Sequence, residues 1–384
     1  MRLLIAGGGT GGHIYPALAV ARSLHERADD AQIRWLGGHR GLEAAIVPPS
    51  GIRVRRLWLR SLRSVGRDVH LVLDPARLAA SIPQAAALLA AWRPSAIFTT
   101  GGFVAIPVLL AAAAERIPVV LWEGNVIPGR SVRATARAAS VVTVSFATTC
   151  ETLASTGRPC YLTGTPIRDV SGIDPTAARE RLGIAAGERM LLVFGGSQAV
   201  KRFNAAVVGA LPRLVERVHV VHVTGDRGYP AALAARESLP APLRERYRPS
   251  PFLRDDMLPT LAAADLVVGR AGSSTLAEVT ALGRPLVVVP YPHAAGHQRA
   301  NAEVLVRAGA ARLIEDEAFD AEALLDASRI LDDPATHARM TAAARSLARP
   351  RAADAVARLV LAAAARRSLP ATEEIERWSR ERTA

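Results

Sequence analysis

The chain has 384 residues, which is too long for one hydrophobic core and predicts two domains. Half of its residues are hydrophobic and 4% are aromatic, a composition that excludes an intrinsically disordered chain. The formal net charge of +13 is compatible with an anionic substrate, an anionic membrane or nucleic acid. A general preference for arginine explains it equally well, because Lys201 is the only lysine.

Short apolar runs alternate with stretches of helical period, a pattern typical of parallel β-α-β units. The predicted strands of the first half are residues 2–6, 32–36, 96–100, 118–122 and 140–144. Those of the second half are residues 190–194, 218–223, 265–269 and 285–289. Each set opens with an apolar strand that runs into glycines, so the predicted fold class is α/β with two Rossmann-like, doubly wound domains.

Turn signals and composition give the expected boundaries. The first domain is predicted to span residues 1–164 and the second residues 165–349. We expect a helix near residues 350–370 to pack back on the first domain. Residues 370–384 are polar and charged and are predicted to form a tail.

Cysteine use and hydropathy bear on the compartment. Cys150 and Cys160 fit no metal or redox spacing, so we expect reduced thiols in a cytoplasmic protein. No leader precedes the strand that begins near Leu3, which argues against a secretory signal. The longest apolar run, residues 103–114, is shorter than the roughly 20 residues that span a bilayer. We therefore expect no membrane-spanning segment.

A glycine loop at residues 7–12 follows the first predicted strand and would bring backbone amides close to an anionic ligand. His13 follows the loop at the edge where such sheets bind ligands, although a capping or packing role fits its position as well. A nicotinamide or flavin enzyme would need an acidic residue after the second strand. Residues 37–40 contain none, which argues against dinucleotide binding.

Small polar residues follow the strand at 265–269. Residues 272–275 can bind phosphate oxygens at a helix start, and Glu278 can accept hydrogen bonds from a ribose diol. The alternative is an ordinary capped helix with a solvated glutamate. Gln298 and Asn301 follow the next strand and suit sugar or base recognition, although helix capping would also use them.

These motifs, in this order, resemble the MurG family, whose GT-B fold has two Rossmann-like domains facing across a cleft and whose members make the lipid II precursor of peptidoglycan. The resemblance covers nearly the whole chain and is carried by GGGTGGH at 7–13, PALAVA at 16–21, TGGFVAIP at 100–107, EGNVIPG at 123–129, GTPIR at 164–168, GGSQ at 195–198, FLRDDM at 252–257, RAGSSTLAE at 270–278 and HQRANA at 297–302.

The resemblance implies specific substrate contacts. Thr10, Gly11 and Gly12 are similar to the family's first glycine loop. The contacts implied for UDP-N-acetylglucosamine are Asn125, Arg168, Ser197, Leu253, Arg254, Ser273, Ser274, Thr275, Leu276, Ala277, Glu278 and Gln298. One extra residue in FLRDDM leaves open whether Leu253 or Arg254 meets the uracil, and Trp122 and Gly124 replace the family's usual residues beside Glu123.

The implied reaction is an inverting transfer of N-acetylglucosamine from UDP-N-acetylglucosamine to the muramyl sugar of an undecaprenyl-diphosphate-linked muramyl-peptide acceptor. His13 is the favoured general base and Glu123 the reserve, unless both only position hydroxyl groups. No Asp-x-Asp motif is present, so we predict neither a metal ion nor another cofactor. Helix N-termini and Arg168 would then stabilise the leaving UDP.

An amphiphilic acceptor implies a peripheral position on the cytoplasmic face of the cell membrane. Residues 53–67 interleave arginines with apolar residues and are predicted to contact the anionic membrane surface, although a solvated loop also fits. No nucleic-acid partner is expected, because recognised motifs and an aromatic platform are absent. The alternatives are a transferase of the same fold acting on another lipid or natural product, or a nucleotide-sugar epimerase.

Overall fold

The computed structural model describes residues 1–39, 41–59, 70–195, 201–294 and 296–381. The chain divides into two compact units, one formed by Met1–Asp169 with Arg349–Ala384 and the other by Val170–Ala348. The boundary therefore lies after Asp169, and residues 165–169 stay with the first unit instead of opening the second.

The first unit contains a sheet of seven parallel strands. The strands are β1 (Arg2–Ala6), β2 (Gln32–Gly38), β3 (Arg53–Leu57), β4 (Ala96–Thr99), β5 (Val119–Glu123), β6 (Val141–Val144) and β7 (Cys160–Leu162). The helices between them are α1 (Gly11–Arg27), α2 (Glu43–Ile46), α3 (His70–Trp92), α4 (Gly102–Ala114), α5 (Arg130–Thr135) and α6 (Ala147–Leu153). The strand order is β3-β2-β1-β4-β5-β6-β7.

Two hydrophobic cores cover the two faces of this sheet. Alternate residues of β1 point to opposite faces, so Leu3 and Ile5 join the core that includes α1, while Leu4 and Ala6 join the core that includes α3 and α4. Burial on both faces explains why the central strands read as continuous apolar runs.

The second unit contains six parallel strands in the order β10-β9-β8-β11-β12-β13. The strands are β8 (Met190–Phe194), β9 (His219–Val223), β10 (Tyr247–Ser250), β11 (Leu266–Gly269), β12 (Leu286–Val288) and β13 (Ala311–Leu313). The helices are α7 (Pro175–Arg181), α8 (Lys201–Leu214), α9 (Gly225–Glu237), α10 (Ala241–Arg244), α11 (Met257–Ala263), α12 (Ser273–Ala281), α13 (His297–Arg307), α14 (Ala321–Ser328) and α15 (Pro334–Leu347). The predicted class, two parallel-sheet α/β domains, is confirmed.

The C-terminal segment belongs to the first unit and forms α16 (Ala352–Ala364) and α17 (Thr372–Arg380). The expectation of a charged tail is wrong for residues 372–380, because Ile375 is fully buried and Trp378 packs beside it. The Trp378 indole donates to Asp354 at 2.6 Å, and the guanidinium of Arg358 lies 3.4 Å from the ring centroid. α17 is thereby held on α16.

Cys150 on α6 and Cys160 on β7 form a disulfide, with their Cα atoms 5.7 Å apart. The expectation of reduced thiols is therefore wrong for this structure. Sequence spacing alone did not show that the turn between α6 and β7 brings the two residues together. Within the described parts of the chain, no helix is both long and apolar enough to cross a bilayer.

All five tryptophans lie in the first unit, at Trp35, Trp58, Trp92, Trp122 and Trp378. Their fluorescence therefore reports on that unit alone.

We expect Ile375→Ala to lower the free energy of unfolding of the first unit by about 2–5 kcal/mol, because it leaves a cavity under α17. Urea denaturation followed by tryptophan fluorescence measures this. Arg377→Ala, at an exposed position of the same helix, is the control and should change the value by less than about 0.5 kcal/mol. Equal effects of the two changes would contradict the assignment of Ile375 to the core.

Candidate functional site

A first candidate site lies where β1, β4 and β5 end, since these strands are neighbours in the sheet. The chain order reverses between β1 and β4, and open α/β sheets bind ligands at that point, beyond the carboxyl ends of the strands. Three loops meet there, formed by residues 7–12, 100–103 and 123–129.

His13 and Thr100 are joined by two hydrogen bonds across this point. His13 Nδ1 lies 2.7 Å from the carbonyl oxygen of Thr100, and the Thr100 hydroxyl donates to the carbonyl oxygen of His13 at 3.0 Å. Because a carbonyl can only accept, Nδ1 carries the proton, and a neutral imidazole has its lone pair on Nε2. The ring is thus held in the tautomer that a general base requires. Thr100 was not among the predicted site residues, and only the pairing of β1 with β4 brings it to His13.

The glycine loop leads into the first turn of α1. Thr10 and Gly12 are exposed and Gly11 is half-buried, as a ligand-binding loop requires. The amides of His13 and Ile14 bond to the carbonyl of Thr10, so the amides of Gly11 and Gly12 come before the first helical hydrogen bond. A helix start of this kind attracts an anion.

Glu123 is buried, with 4% of its surface exposed, and its carboxylate is surrounded by N–H donors. Oε1 accepts from the backbone and side-chain amides of Asn125, both at 2.9 Å, and Oε2 accepts from the amide of Gly129 at 2.7 Å. These contacts favour a role in shaping the loop over a role as proton acceptor. The neighbouring Trp122 is a core residue whose indole donates to the carbonyl of Gly164 at 3.1 Å.

A second candidate site lies at the start of α12, after β11. Ser273, Ser274 and Thr275 form the first turn and are half-buried, and the Ser274 hydroxyl is buried without a hydrogen-bond partner among the described residues. Leu276 differs, because its side chain is buried and its amide bonds to the carbonyl of Gly272. Ala277 and Glu278 are half-buried. The turn therefore offers hydroxyls and amides to an anion.

Two amide side chains of α13 hold the loop that precedes α12. Gln298 Oε1 accepts from the amides of Ala271 at 3.2 Å and Tyr291 at 2.9 Å, and Asn301 Nδ2 donates to the carbonyl of Ala271 at 3.3 Å. The oxygen of Gln298 is thus occupied, and its NH₂ group is the part suited to a ligand. Arg270 forms a buried ion pair with Asp316, so it serves the core of this unit.

The remaining predicted contacts are spread over the chain. Arg168 lies in the first unit, shortly before its boundary. Leu253 and Arg254 follow β10, where Arg254 is exposed and adopts a φ of +44°. Ser197 lies outside the described residues. Within the described ranges, no three His, Cys, Asp or Glu side chains come together as a metal site.

A buried polar network connects the end of β9 with the first turn of α8. His222 Nδ1 lies 2.9 Å from the Tyr247 hydroxyl, and Nε2 lies 3.0 Å from Asn204 Oδ1. The side-chain amide of Asn204 donates to the carbonyl of Thr224 at 3.0 Å. Burial lowers the pKa of His222 from 6.5 to about 3, so the ring is neutral in the folded protein at neutral pH.

Comparison with known proteins gives matches along nearly the whole chain. Residues 3–144 match the glycosyltransferase family 28 N-terminal domain, and residues 190–359 match the family's C-terminal domain. The UDP-N-acetylglucosamine–N-acetylmuramyl-(pentapeptide) pyrophosphoryl-undecaprenol N-acetylglucosamine transferase of Desulforudis audaxviator is 38% identical over 366 residues, covering 93% of this chain and 96% of that protein. The protein of the same name from Chlorobium phaeobacteroides is 37% identical, with coverage of 94% and 98%. The crystal structure of Acinetobacter baumannii MurG is similar with a TM-score of 0.75 and 27% identity, covering 94% of this chain and 99% of that one.

The His222 network predicts acid sensitivity in the second unit. Between pH 6.5 and about 3 the unfolded chain binds a proton at His222 that the folded chain excludes, so stability falls as pH falls through this window. At pH 5 the loss from this group is roughly 2 kcal/mol. We expect His222→Gln to remove this part of the pH dependence. The free energy of unfolding of the second unit is measured between pH 7 and 5 by circular dichroism, since tryptophan fluorescence reports only the first unit. His25→Gln, at an exposed position of α1, is the control and should leave the dependence intact. An unchanged slope in His222→Gln would contradict the prediction.

Proposed function

We propose that this chain, which belongs to the MurG family within glycosyltransferase family 28, transfers N-acetylglucosamine from UDP-N-acetylglucosamine to the muramyl sugar of undecaprenyl-linked lipid I, forming lipid II for peptidoglycan synthesis. The observation that carries the proposal is that relatives named for this activity match over nearly their full length. Each unit also has a helix start suited to an anion at the carboxyl edge of its sheet, which fits two substrates that both contain a diphosphate.

We assign the donor to the second unit. The hydroxyls and amides of Ser273–Thr275 bind the diphosphate, and the buried, unpartnered Ser274 hydroxyl supports this because such a group costs free energy unless a ligand satisfies it. Glu278 accepts from the ribose hydroxyls, and the NH₂ group of Gln298 donates to the sugar. Ala277 lies beside Glu278, while Leu276 supports the turn from the interior.

Further donor contacts follow from the resemblance alone. Ser197 and Arg168 bind phosphate oxygens, Asn125 binds the sugar, and Leu253 or Arg254 meets the uracil. Thr10, Gly11 and Gly12 bind the diphosphate of the acceptor at the first helix start, which the exposure of Thr10 and Gly12 supports.

The reaction is a single inverting displacement. The acceptor hydroxyl oxygen forms a bond to the anomeric carbon while the bond from that carbon to the UDP oxygen breaks. The hydroxyl proton passes to His13 Nε2, the nitrogen that bears the lone pair when Nδ1 donates to Thr100. UDP leaves with the bonding electron pair, and the donors of the α12 turn stabilise its charge. Glu123 shapes the loop that contains Asn125.

Transfer itself is tested by incubating the protein with UDP-N-acetylglucosamine and a lipid-diphosphate-muramyl acceptor. We expect release of UDP and a product heavier by one N-acetylglucosamine, with nearly full activity in the presence of a chelator. Transfer to a different lipid and not to this acceptor would overturn the proposed substrate.

The division of roles between His13 and Glu278 gives a contrast. His13→Ala is expected to lower the rate of single-turnover transfer by about 10²–10⁴ and to leave the Kd of UDP-N-acetylglucosamine unchanged. Glu278→Gln is expected to raise that Kd by about 10- to 150-fold, because a charged acceptor is lost from the ribose contact. Calorimetry and rapid quench measure the two quantities. If His13→Ala weakened donor binding as much as Glu278→Gln and its complex still reacted at the native rate, the roles would be wrong.

We place the protein on the cytoplasmic, anionic surface of the membrane through the region around Trp58. Trp58 is 55% exposed after β3, and Leu73 on α3 is 38% exposed. Arg77 lies one turn beyond Leu73, with its guanidinium 5.4 Å from the Trp58 ring centroid. Apolar and basic groups together suit a headgroup layer.

Part of the stretch from 53 to 67 serves another purpose. Residues 53–57 are the strand β3, and Leu57 and Leu59 are buried in the core. Arg53, Arg55 and Arg56 are exposed and remain available to an anionic surface, while residues 60–67 lie outside the described ranges.

The membrane assignment predicts that Trp58→Ala combined with Leu73→Ala weakens binding to phosphatidylglycerol vesicles by about tenfold or more, because both apolar groups leave the interface. Vesicle cosedimentation measures the affinity, and added salt should lower binding of the native protein. Leu233→Ala combined with Val306→Ala, exposed in the second unit, is the control and should bind like the native protein. Equal binding by both double variants would remove Trp58 and Leu73 from the membrane contact.

A further inference from the structure

A second buried carboxylate lies beneath the glycine loop. Glu43 is the first residue of α2, and none of its surface is exposed. Its Oε2 accepts from the backbone amide of Gly9 at 2.9 Å, and its Oε1 accepts from the amide of Gly38, at the end of β2, at 2.7 Å. One carboxylate thus joins the loops that follow two neighbouring strands.

The glycines around Glu43 leave room for this carboxylate. A Cβ atom at Gly8 would lie 2.4 Å from Glu43 Oε1, one at Gly37 would lie 2.6 Å from its Cγ, and one at Gly41 would lie within 2.0 Å of Oε2. Gly8 and Gly37 have no left-handed φ that would require glycine on backbone grounds. The side chain of Glu43 therefore explains why these positions are glycine.

The other side of the same loop is closed by Phe103. A Cβ at Gly9 would lie 2.9 Å from the Phe103 ring, and one at Gly38 would lie 2.8 Å from it. Gly9 adopts a φ of +95°, a conformation that ordinary side chains rarely adopt. The ring and the carboxylate enclose Gly9 and fix the path by which the chain enters α1.

We propose that Glu43 is a positioning residue for the transfer reaction. Its hydrogen bond to Gly9 fixes the glycine loop, and through the loop it orients the amides of Gly11 and Gly12 and the imidazole of His13. Glu43 does not contact the reacting atoms. The expected effect on kcat rests on the proposed function. The hydrogen bonds by which Glu43 joins the two loops can be tested without any substrate.

Glu43→Gln tests the proposal, because the amide replaces one acceptor oxygen with an NH₂ group that faces a backbone N–H. We expect kcat to fall by about 10- to 100-fold, since small displacements of a catalytic group are costly, while the Kd of UDP-N-acetylglucosamine stays within twofold of native. Rates are normalised to the fraction of molecules whose first unit is folded, measured by tryptophan fluorescence, so partial unfolding does not count. Glu26→Gln, exposed on α1, is the matched control and should behave as native.

Two further variants keep the test decisive. Gly41→Ala should displace the Glu43 carboxylate and lower kcat by a similar factor. The double variant with Glu43→Gln should have a kcat little lower than that of either single variant. If Glu43→Gln does not fold, Glu43→Asp, which keeps the charge but shortens the reach, should show the fall in kcat in its place. The proposal is overturned if the folded variant, Glu43→Gln or Glu43→Asp, has the native kcat. It is also overturned if the affinity for UDP-N-acetylglucosamine falls by as large a factor as kcat.

Hydrogen exchange separates this proposal from the proposed function. Amides of residues 9–13 should exchange at least tenfold faster in Glu43→Gln than in the native protein, with exchange in the second unit unchanged. Native exchange in residues 9–13 overturns the positioning role even if transfer is observed. Faster exchange in a protein that transfers no sugar would leave the tie intact and reject the proposed function.

Discussion

A parallel strand that is buried on both faces can bring polar groups to a ligand only where it ends, and both sites of this chain follow from that constraint. The backbone carbonyls and amides inside each sheet form hydrogen bonds with neighbouring strands. Polar groups first become available in the loops beyond β1, β4 and β5 in one unit, and beyond β11 and β12 in the other. The chemistry of the molecule is therefore a chemistry of loops, and its precision depends on what holds those loops in place.

Buried side chains hold them by acting as ligands for backbone amides. Glu43 binds Gly9 and Gly38 in the first unit, and Glu123 binds Asn125 and Gly129. In the second unit the half-buried Gln298 accepts from the amide of Ala271 and the buried Asn301 donates to its carbonyl, so that loop is held without a charge. The carboxylates of Glu43 and Glu123 are tolerated in the protein interior because each of their oxygens accepts at least one hydrogen bond. Polar residues near a site thus divide into those that meet the ligand and those that shape the loop.

The sequence predicted the central strands and the helix starts, because burial on both faces produces continuous apolar runs that end in glycine. It missed β3, β7, β10 and β13, which are the four edge strands; edges are short and half solvated, so their apolar signal is weak. Glu43 and Thr100 were missed for another reason. Their roles depend on which strands are neighbours, and only the order β2-β1-β4 brings them to the glycine loop.

The second unit is inserted into the first, since the first resumes at Arg349 after the whole of Val170–Ala348. The residues that complete the first core, on α16 and α17, therefore leave the ribosome after the whole of the second unit. Domains generally fold as units during synthesis, starting with the N-terminal one. In this chain the inserted second unit emerges complete while the apolar face of α1 still lacks its partner α16. The second unit can therefore finish folding before the first. A chaperone that protects the nascent first unit would have to stay bound until α16 and α17 have emerged.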